Sequence, residues 1–166
     1  MVTVIPNILR SDVFYQSVRY AKWLLTQREA TFFTNKTWDY SVVHDSAPVL
    51  IHPLPIKHDL YEPLEQEAER HVGIRPRPQN ILFYMWTKGS YIPWHNDPSC
   101  NAALTIYLNE KWDRDYGGLY LYEDGPDIKA IVPQANLGVI QRNQPSHATT
   151  PVIHKASIRF TIQVWF

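Results

Sequence analysis

A histidine and an aspartate stand two residues apart in WHNDPSCNAALTIYLN, the stretch that spans residues 94–109. On an extended chain, side chains at positions i and i+2 share a face about 6–7 Å apart, so His95 and Asp97 can reach one cation. Imidazole nitrogen together with carboxylate oxygen suits Fe(II), Mn(II) or Zn(II). So short a motif also arises by chance, and a surface pair beside a core strand is the alternative interpretation.

A third candidate ligand, His147, lies far along the chain in QPSHATTPV. Two histidines and one carboxylate can form a facial triad, which leaves positions on the metal open for substrate and oxygen. Arg159 follows on the polar face of the last predicted strand, where a guanidinium could hold a carboxylate through two hydrogen bonds. Tyr107 could share that carboxylate from the polar face of its own strand, and Lys155 is the competing cation.

The other histidines have no partner at ligand spacing, and we interpret them as structural or exposed: His44, His52, His58, His71 and His154. The single cysteine, Cys100, excludes an internal disulfide and a cysteine-rich zinc site. We interpret it as a small buried residue. Among the aromatic residues, we expect Trp38, Trp86, Tyr91 and Trp94 to be core or rim residues, some of which could line a substrate groove.

Composition limits the class of protein. The chain has 166 residues, 45% of them apolar, which fits one domain with one core, and we treat 1–166 as a single domain. Its formal net charge is 0, so nothing indicates broad electrostatic binding to nucleic acid or to a membrane. There is no apolar run of membrane-spanning length and no signal-peptide pattern at the start. We therefore expect a soluble, cytoplasmic protein.

Two helices are predicted before residue 80. The first covers SDVFYQSVRYAKWLLTQ, with Ser11 as its cap. Its apolar residues fall broadly at helical spacing: Val13, Phe14, Val18, Ala21, Trp23, Leu24 and Leu25. The second covers YEPLEQEAERHVG, from Tyr61 to near Gly73.

Short strands and turns dominate from Asn80 onward. ILFYMW, ALTIYL, GLYLYED, IKAIVP, LGVIQ and SIRFTIQVWF alternate with turn signals such as TKGS and DGPD, which favours a sandwich or small barrel. We predict helices packed on one outer face of this β structure, with bracing segments in 1–79 and the β core in 80–166.

Two of these strands alternate apolar and polar residues. The polar faces are formed by Arg159, Thr161, Gln163 and Trp165, and by Ala103, Thr105, Tyr107 and Asn109. One interpretation is a solvated face opposite the core. The other is that the polar faces line an internal cavity.

The second half of the chain resembles the Fe(II)- and 2-oxoglutarate-dependent oxygenases of the prolyl 4-hydroxylase-like branch. The resemblance covers about residues 80–166 and rests on YMWTKGSYIPWHND, TIYLNEKWDRDYGGLYLY, NLGVIQRNQPSHATTPV and IRFTIQVWF, in that order. It implies a mostly β fold with flanking helices: a double-stranded β-helix, or jelly-roll, with the N-terminal helices packed on one sheet.

The resemblance also implies roles. His95, Asp97 and His147 would be the iron ligands. Arg159 would bind the distal carboxylate of 2-oxoglutarate, Tyr107 would assist it, and Tyr84 would lie near the cosubstrate or substrate. Fe(II), 2-oxoglutarate and O2 would be required, with ascorbate as a further possible cofactor.

The activity implied is hydroxylation of a C–H bond, with succinate and CO2 as coproducts. The substrate expected is a prolyl residue, a peptide or protein, an amino acid or another small molecule. Because related halogenases carry a small residue in place of Asp97, its presence favours hydroxylation. The alternatives are a nucleic-acid demethylase of the same superfamily and a non-catalytic ligand-binding barrel. A single Arg after His147 and the neutral charge weigh against the demethylase.

Overall fold

The computed structural model describes residues 1–27, 33–34, 47–76, 80–97, 100–153 and 155–166. Trp38, His44 and His154 lie outside these ranges. The described residues form two α-helices, α1 (Ser11–Leu24) and α2 (Tyr61–Val72), and one 3-10 helix, Arg114–Tyr116. The strands before residue 100 are β1 (Val2–Ile5), β2 (Phe33–Thr34), β3 (Val49–Pro53), β4 (Ile81–Trp86) and β5 (Ile92–His95). Those after it are β6 (Ala102–Tyr107), β7 (Tyr120–Asp124), β8 (Asp127–Ile131), β9 (Gly138–Arg142), β10 (His147–Thr149) and β11 (Arg159–Trp165).

The strands form two antiparallel sheets. The larger has the order β1-β9-β6-β11-β4-β3-β2, and the smaller has the order β5-β10-β7-β8. Strand β11 lies between β4 and β6, where Ile162 is in register with Phe83 on one side and with Ile106 on the other. The predicted mostly β architecture is confirmed, and the segment before residue 80 contributes strands as well as helices to it.

Both helices pack on one face of the larger sheet. The main hydrophobic core joins buried residues of α1 and α2, such as Val18 and Leu64, to Phe83, Leu104 and Ile162 of the sheet. The predicted packing of the N-terminal helices on one sheet is therefore confirmed. Trp23 and Leu25 were wrongly placed on the apolar face of α1, because they are 51% and 39% exposed.

Of the two helix ends predicted from the sequence, the structure confirms one. Gly73 follows α2 in the left-handed conformation, with a φ of 75°, so the predicted stop is confirmed. The predicted cap of α1 was wrong. Arg10 occupies the N-cap position without a side-chain capping bond, and Ser11 is already helical. The Arg10 guanidinium instead pairs with the buried Glu67 of α2 at 3.1 Å, which ties the two helices together.

The alternation of β11 separates the core from a polar interior. Ile162, Val164 and Phe166 lie in the hydrophobic core beneath the helices. On the opposite face Arg159 and Thr161 are also buried, 2% and 0% exposed, whereas Gln163 and Trp165 are half-buried, so the Arg159 end of the polar face is closed off from solvent. Of the two interpretations of this face, the structure supports the internal cavity.

The helices of the described part of the chain are too short or too polar to cross a membrane.

Candidate active site

The two predicted histidine ligands face each other across neighbouring strands of the smaller sheet. His95 ends β5, His147 begins β10, and the two residues are paired in register. Their ring centroids lie 4.2 Å apart. Antiparallel pairing thus brings together two residues that are far apart in the sequence.

Asp97 lies just beyond the end of β5 and turns its carboxylate toward both rings. Its Oδ1 is 3.7 Å from Nε2 of His95, and its Oδ2 is 3.4 Å from Nε2 of His147. One ligand-capable atom from each of the three residues lies within 4.8 Å of the others. A single small cation could contact all three.

Backbone carbonyls fix which ring nitrogen is available in each histidine. Nδ1 of His95 lies 2.8 Å from the carbonyl oxygen of Pro93, and Nδ1 of His147 lies 3.0 Å from that of Pro145. A carbonyl can only accept, so each Nδ1 carries the proton and each Nε2 lone pair faces Asp97. Burial, and then the neighbouring His95, lowers the pKa of His147. The ring is thereby kept neutral, as a metal ligand must be.

Two further residues hold the Asp97 carboxylate. The Gln141 side chain donates from Nε2 to Oδ2 of Asp97 at 2.5 Å. The Tyr120 hydroxyl in turn donates to Oε1 of Gln141 at 2.5 Å. The Tyr120 ring also stacks on His147, with centroids 5.4 Å apart and ring planes at 24°. Burial, and then nearby ionisable groups including Asp97, raises the pKa of Tyr120, so its hydroxyl keeps its proton.

Arg159 places a buried cation in the same interior. Its guanidinium carbon lies 4.0 Å from the centre of the Trp86 ring and 5.9 Å from that of Tyr107. Nη1 donates to the carbonyl oxygen of Gly118, whereas Nε has no hydrogen-bond partner among the described residues. Burial lowers the pKa of Arg159 to about 10, which still leaves it charged at neutral pH. A buried cation with an unused donor suits an anionic ligand.

Tyr107 and Tyr84 add hydroxyl groups to this interior. Burial raises the pKa of Tyr107 to about 12, with nearby Arg159 acting in the opposite direction. Burial also raises the pKa of Tyr84, while a hydrogen bond from the Trp165 indole lowers it. Both hydroxyls are therefore protonated at neutral pH and can donate to an anion.

These side chains border one cavity between the two sheets. Its walls are formed by Tyr84, Trp86, Ile92, His95, Asp97, Ala103, Thr105, Tyr107, Tyr120, Gln141, His147, Thr149, Arg159, Gln163 and Trp165. Asp97 supplies the one carboxylate of this lining, and Arg159 supplies its one guanidinium. The cavity thus combines a potential cation site with a potential carboxylate site.

The six site residues predicted from the sequence all border this cavity: His95, Asp97, His147, Arg159, Tyr107 and Tyr84. The competing cation, Lys155, is exposed instead. Cys100 is buried and only 7% exposed, as expected.

Three of the remaining histidines have structural contacts. His52 bonds to the Tyr20 hydroxyl at 3.2 Å, His58 accepts from the backbone of Leu60, and His71 bonds to the carbonyl oxygen of Ile8.

The supporting residues Tyr120, Gln141 and Gly118 were not predicted from the sequence, and Trp86 was expected only as a core or rim aromatic. A polar Gln at the end of the apolar strand LGVIQ was the available signal for Gln141. The Gly-Gly pair before β7 was the signal for Gly118. Gly118 has a φ of 64°, and the resulting turn of the chain brings its carbonyl oxygen close to Arg159.

The donor set fits the metal that the sequence suggested. Two imidazole nitrogens and one carboxylate, clustered at one place in the cavity wall, match the facial triad of non-haem Fe(II) oxygenases. The buried guanidinium with its unused Nε fits the distal carboxylate of a dicarboxylic cosubstrate.

Comparison with known families identifies the class of protein. Residues 79–166, more than half of the chain, match the model of the 2OG-Fe(II) oxygenase superfamily. The chain belongs to this superfamily and is a 2-oxoglutarate-dependent dioxygenase. Its family requires Fe(II), 2-oxoglutarate and O2. A comparison with curated protein sequences gives no significant match.

Solved structures of two prolyl hydroxylases share the fold of this chain. One is a prolyl hydroxylase from Trichoplax adhaerens in complex with a hypoxia inducible factor oxygen degradation domain peptide fragment. It has a TM-score of 0.81 at 14% identity, over 99% of this chain and 82% of that one. Another is a prolyl-4-hydroxylase from Pseudomonas putida, with a TM-score of 0.74 at 14% identity, over 99% and 91% of the two chains.

A third is an oxidoreductase of the 2OG-Fe(II) oxygenase family from Burkholderia pseudomallei. Its TM-score is 0.62 at 12% identity, over 99% of this chain and 82% of that one. At such identities the likeness concerns the fold, and it confirms the predicted double-stranded β-helix.

Proposed function

We propose that His95, Asp97 and His147 hold Fe(II), and that Arg159 with Tyr107 binds the distal carboxylate of 2-oxoglutarate. The observation that carries this proposal is the meeting of three ligand-capable atoms, all within 4.8 Å of one another, in the cavity that Arg159 borders. The hydroxyl of Tyr84, on the neighbouring strand, would contact the cosubstrate or substrate.

The protein's role is to bind and orient the metal and the cosubstrate and to shield them from water. Protonated Nδ1 atoms direct both Nε2 lone pairs to the cation, and the buried guanidinium neutralises a carboxylate far from bulk water. When bound, Fe(II) with O2 supplies oxidative decarboxylation of 2-oxoglutarate to succinate and CO2, coupled to hydroxylation of a C–H bond. Trp86 holds the guanidinium plane by stacking, so that its free edge can meet the cosubstrate.

The substrate we propose is a prolyl residue in a peptide or protein. Support comes from the fold shared with a prolyl hydroxylase that was solved with a peptide fragment. A free amino acid is the smaller substrate that the same chemistry would accept. Asp97 fills the coordination position that an anion would need for halogenation, which agrees with hydroxylation as the outcome.

The metal assignment is tested by alanine variants of His95, Asp97 and His147. Each should bind Fe(II) at least about 10–100-fold more weakly than the parent, because even losses of supporting residues cost that much. His71→Ala, which removes a histidine hydrogen-bonded to a backbone carbonyl, serves as the matched control. Unchanged metal content in all three site variants would rule the triad out.

The substrate assignment is tested by mass spectrometry. Proline-containing peptides and free amino acids are incubated with the protein, Fe(II), 2-oxoglutarate and ascorbate, and gain of one oxygen atom is scored. Methylated oligonucleotides form the contrasting set. Oxidation of the oligonucleotides alone would replace the proposed substrate with a nucleic acid. Omitting ascorbate shows whether it sustains turnover.

A further inference from the structure

Asp97 is the one member of the triad that does not belong to a strand. His95 lies in β5 and His147 in β10, whereas Asp97 follows the end of β5. Ligands on strands are placed more accurately than ligands on loops, so a loop carboxylate needs side-chain support to keep a fixed orientation. The structure provides that support from two strands.

The support has a defined hydrogen-bond direction. A carboxylate is acceptor-only, so the amide of Gln141 must present Nε2 to Asp97 and Oε1 to the opposite side. Oε1 then accepts from the hydroxyl of Tyr120, which therefore donates. Gln141 and Tyr120 are each only 5% exposed, so bulk water does not compete for these bonds.

The two supporting residues come from different sheets. Gln141 lies on β9, paired with Val2 on one side and Ala103 on the other, and Tyr120 lies on β7 of the smaller sheet. Tyr120 additionally stacks on His147 through its ring. Tyr120 thus contacts His147 directly through its ring, and it contacts Asp97 indirectly through the amide of Gln141.

We propose that Tyr120 and Gln141 form a relay of positioning residues, which orients Asp97 so that it binds the metal through Oδ1. The bond from Gln141 occupies Oδ2 and draws electron density from it, which leaves Oδ1, on the side of His95, as the stronger donor. This inference rests on the proposed metal site and names residues that support it.

The test measures metal affinity directly, without turnover. Metal-free protein is titrated with Mn(II) and with Co(II), in the absence of 2-oxoglutarate, for the parent, Gln141→Leu, Tyr120→Phe and the double variant. Tyr122→Phe is the matched control, because Tyr122 lies on the same face of β7 with its ring 6.1 Å from that of Tyr120. Circular dichroism and thermal melting establish that each variant is folded.

We expect Gln141→Leu to raise the Kd for metal by about 10–100-fold, the usual effect of losing a residue that orients a ligand. Tyr120→Phe deletes one oxygen and keeps the ring on His147, so it should fold normally and raise the Kd by a smaller factor. The double variant should be no weaker than Gln141→Leu, because the hydroxyl of Tyr120 acts only through Gln141. The visible spectrum of bound Co(II) should change in both single variants and not in Tyr122→Phe, since it reports the coordination of Asp97.

Kd values within about 2-fold of the parent and an unchanged Co(II) spectrum in both single variants would overturn the relay, as an effect of that size lies well below the expected loss. Losses that add in the double variant, or a loss in one single variant only, would overturn it as well. Asp97→Ala separates this result from a failure of the proposed function. If the parent binds neither metal, or if Asp97→Ala binds as tightly as the parent, the metal site itself is wrong and the relay falls with it.

Discussion

The two candidate histidine ligands can bind a metal only if each carries its proton on the nitrogen that faces away from the site. Each candidate histidine ligand stands two residues after a proline, in PWH and PSH, and the carbonyl of that proline receives its Nδ1–H. Proline has no N–H of its own at these positions, and its fixed φ restricts the local chain. Two short sequence patterns thus set the tautomers of the two candidate ligands, a feature that motif spacing alone does not reveal.

The charge and shape of Arg159 should both matter for the cosubstrate. Replacement by Lys keeps the charge but loses the planar fork and the stacking on Trp86. We expect Arg159→Lys to weaken 2-oxoglutarate binding by roughly 10- to 100-fold, the worth of a charge-assisted hydrogen bond, with Fe(II) affinity retained. Calorimetric titration of the Mn(II)-loaded protein measures this. Lys155→Ala is the control, and a larger loss there than in Arg159→Lys would reverse the assignment.

Gly118 should be required for the position of Arg159. A Cβ at this residue would lie 3.0 Å from Nη1 and 3.1 Å from Cδ of Arg159. Gly118→Ala should therefore displace the guanidinium and weaken 2-oxoglutarate binding, with less effect on the metal. Gly125 provides a matched control, because it has the same φ of 64° and no atom within 4 Å of an added Cβ. Alanine is strained at this positive φ in both variants, so strain alone cannot distinguish them. Equal cosubstrate affinity in the two would therefore refute the role of Gly118.

At the scale of elements, β11 shows what alternation can and cannot predict. The pattern in SIRFTIQVWF correctly separates an apolar face from a polar one, because side chains on a strand alternate. It does not show whether the polar face meets solvent or a second sheet, since both environments favour polar residues. Resemblance to a family, not periodicity, indicated that Arg159 points inward.

Short strands were the elements that the sequence analysis did not find. Val2–Ile5, Ile92–His95 and His147–Thr149 have three or four residues, with a proline or polar residues in or beside them. Such segments carry too few apolar positions for a period-2 pattern, and pairing with distant strands stabilises them. The longer strands were found because they carry apolar or alternating runs bounded by turn signals.

The two faces of β11 should respond differently to substitution. Ile162 is fully buried in the main core, so Ile162→Ala should lower the free energy of unfolding by about 2–5 kcal/mol. Affinity for 2-oxoglutarate should remain near that of the parent, because Ile162 faces away from the cavity. Urea unfolding and calorimetric titration measure the two quantities. A cosubstrate defect as large as that of Arg159→Lys, without a loss of stability, would contradict this assignment of faces.

At the scale of the whole molecule, the site exists because the two sheets face each other. The triad comes from the smaller sheet and its flanking loop, whereas Arg159, Tyr107 and Tyr84 come from the larger. The sequence, through its family resemblance, named all six residues, and the structure places them around one cavity. The sequence analysis did not assign roles to Gln141 and Tyr120, because those roles depend on which strands meet across the cavity.

Buried tyrosines should make the fold sensitive to alkali. The pKa of Tyr107 is raised by burial to about 12, and burial also raises those of Tyr84 and Tyr120, from an ordinary value of 10.0. Between these values the unfolded chain loses protons that the native protein retains. These tyrosines therefore lower stability as pH rises above about 10 and have no such effect below it.

Urea unfolding at about pH 8 and about pH 11 measures this effect, and Tyr107→Phe should reduce the difference. A parent protein equally stable at both pH values would contradict it.

Formation of succinate from 2-oxoglutarate is the measurement that tests the central claim most directly. The parent is incubated with Fe(II), 2-oxoglutarate and ¹⁸O₂, with and without a proline-containing peptide, beside Asp97→Ala. We expect slow succinate formation without the peptide, faster formation with an accepted one, and ¹⁸O in both succinate and product. Succinate should be absent without iron and in Asp97→Ala. A parent that binds Fe(II) yet forms no succinate, or an Asp97→Ala variant as active as the parent, would contradict the account.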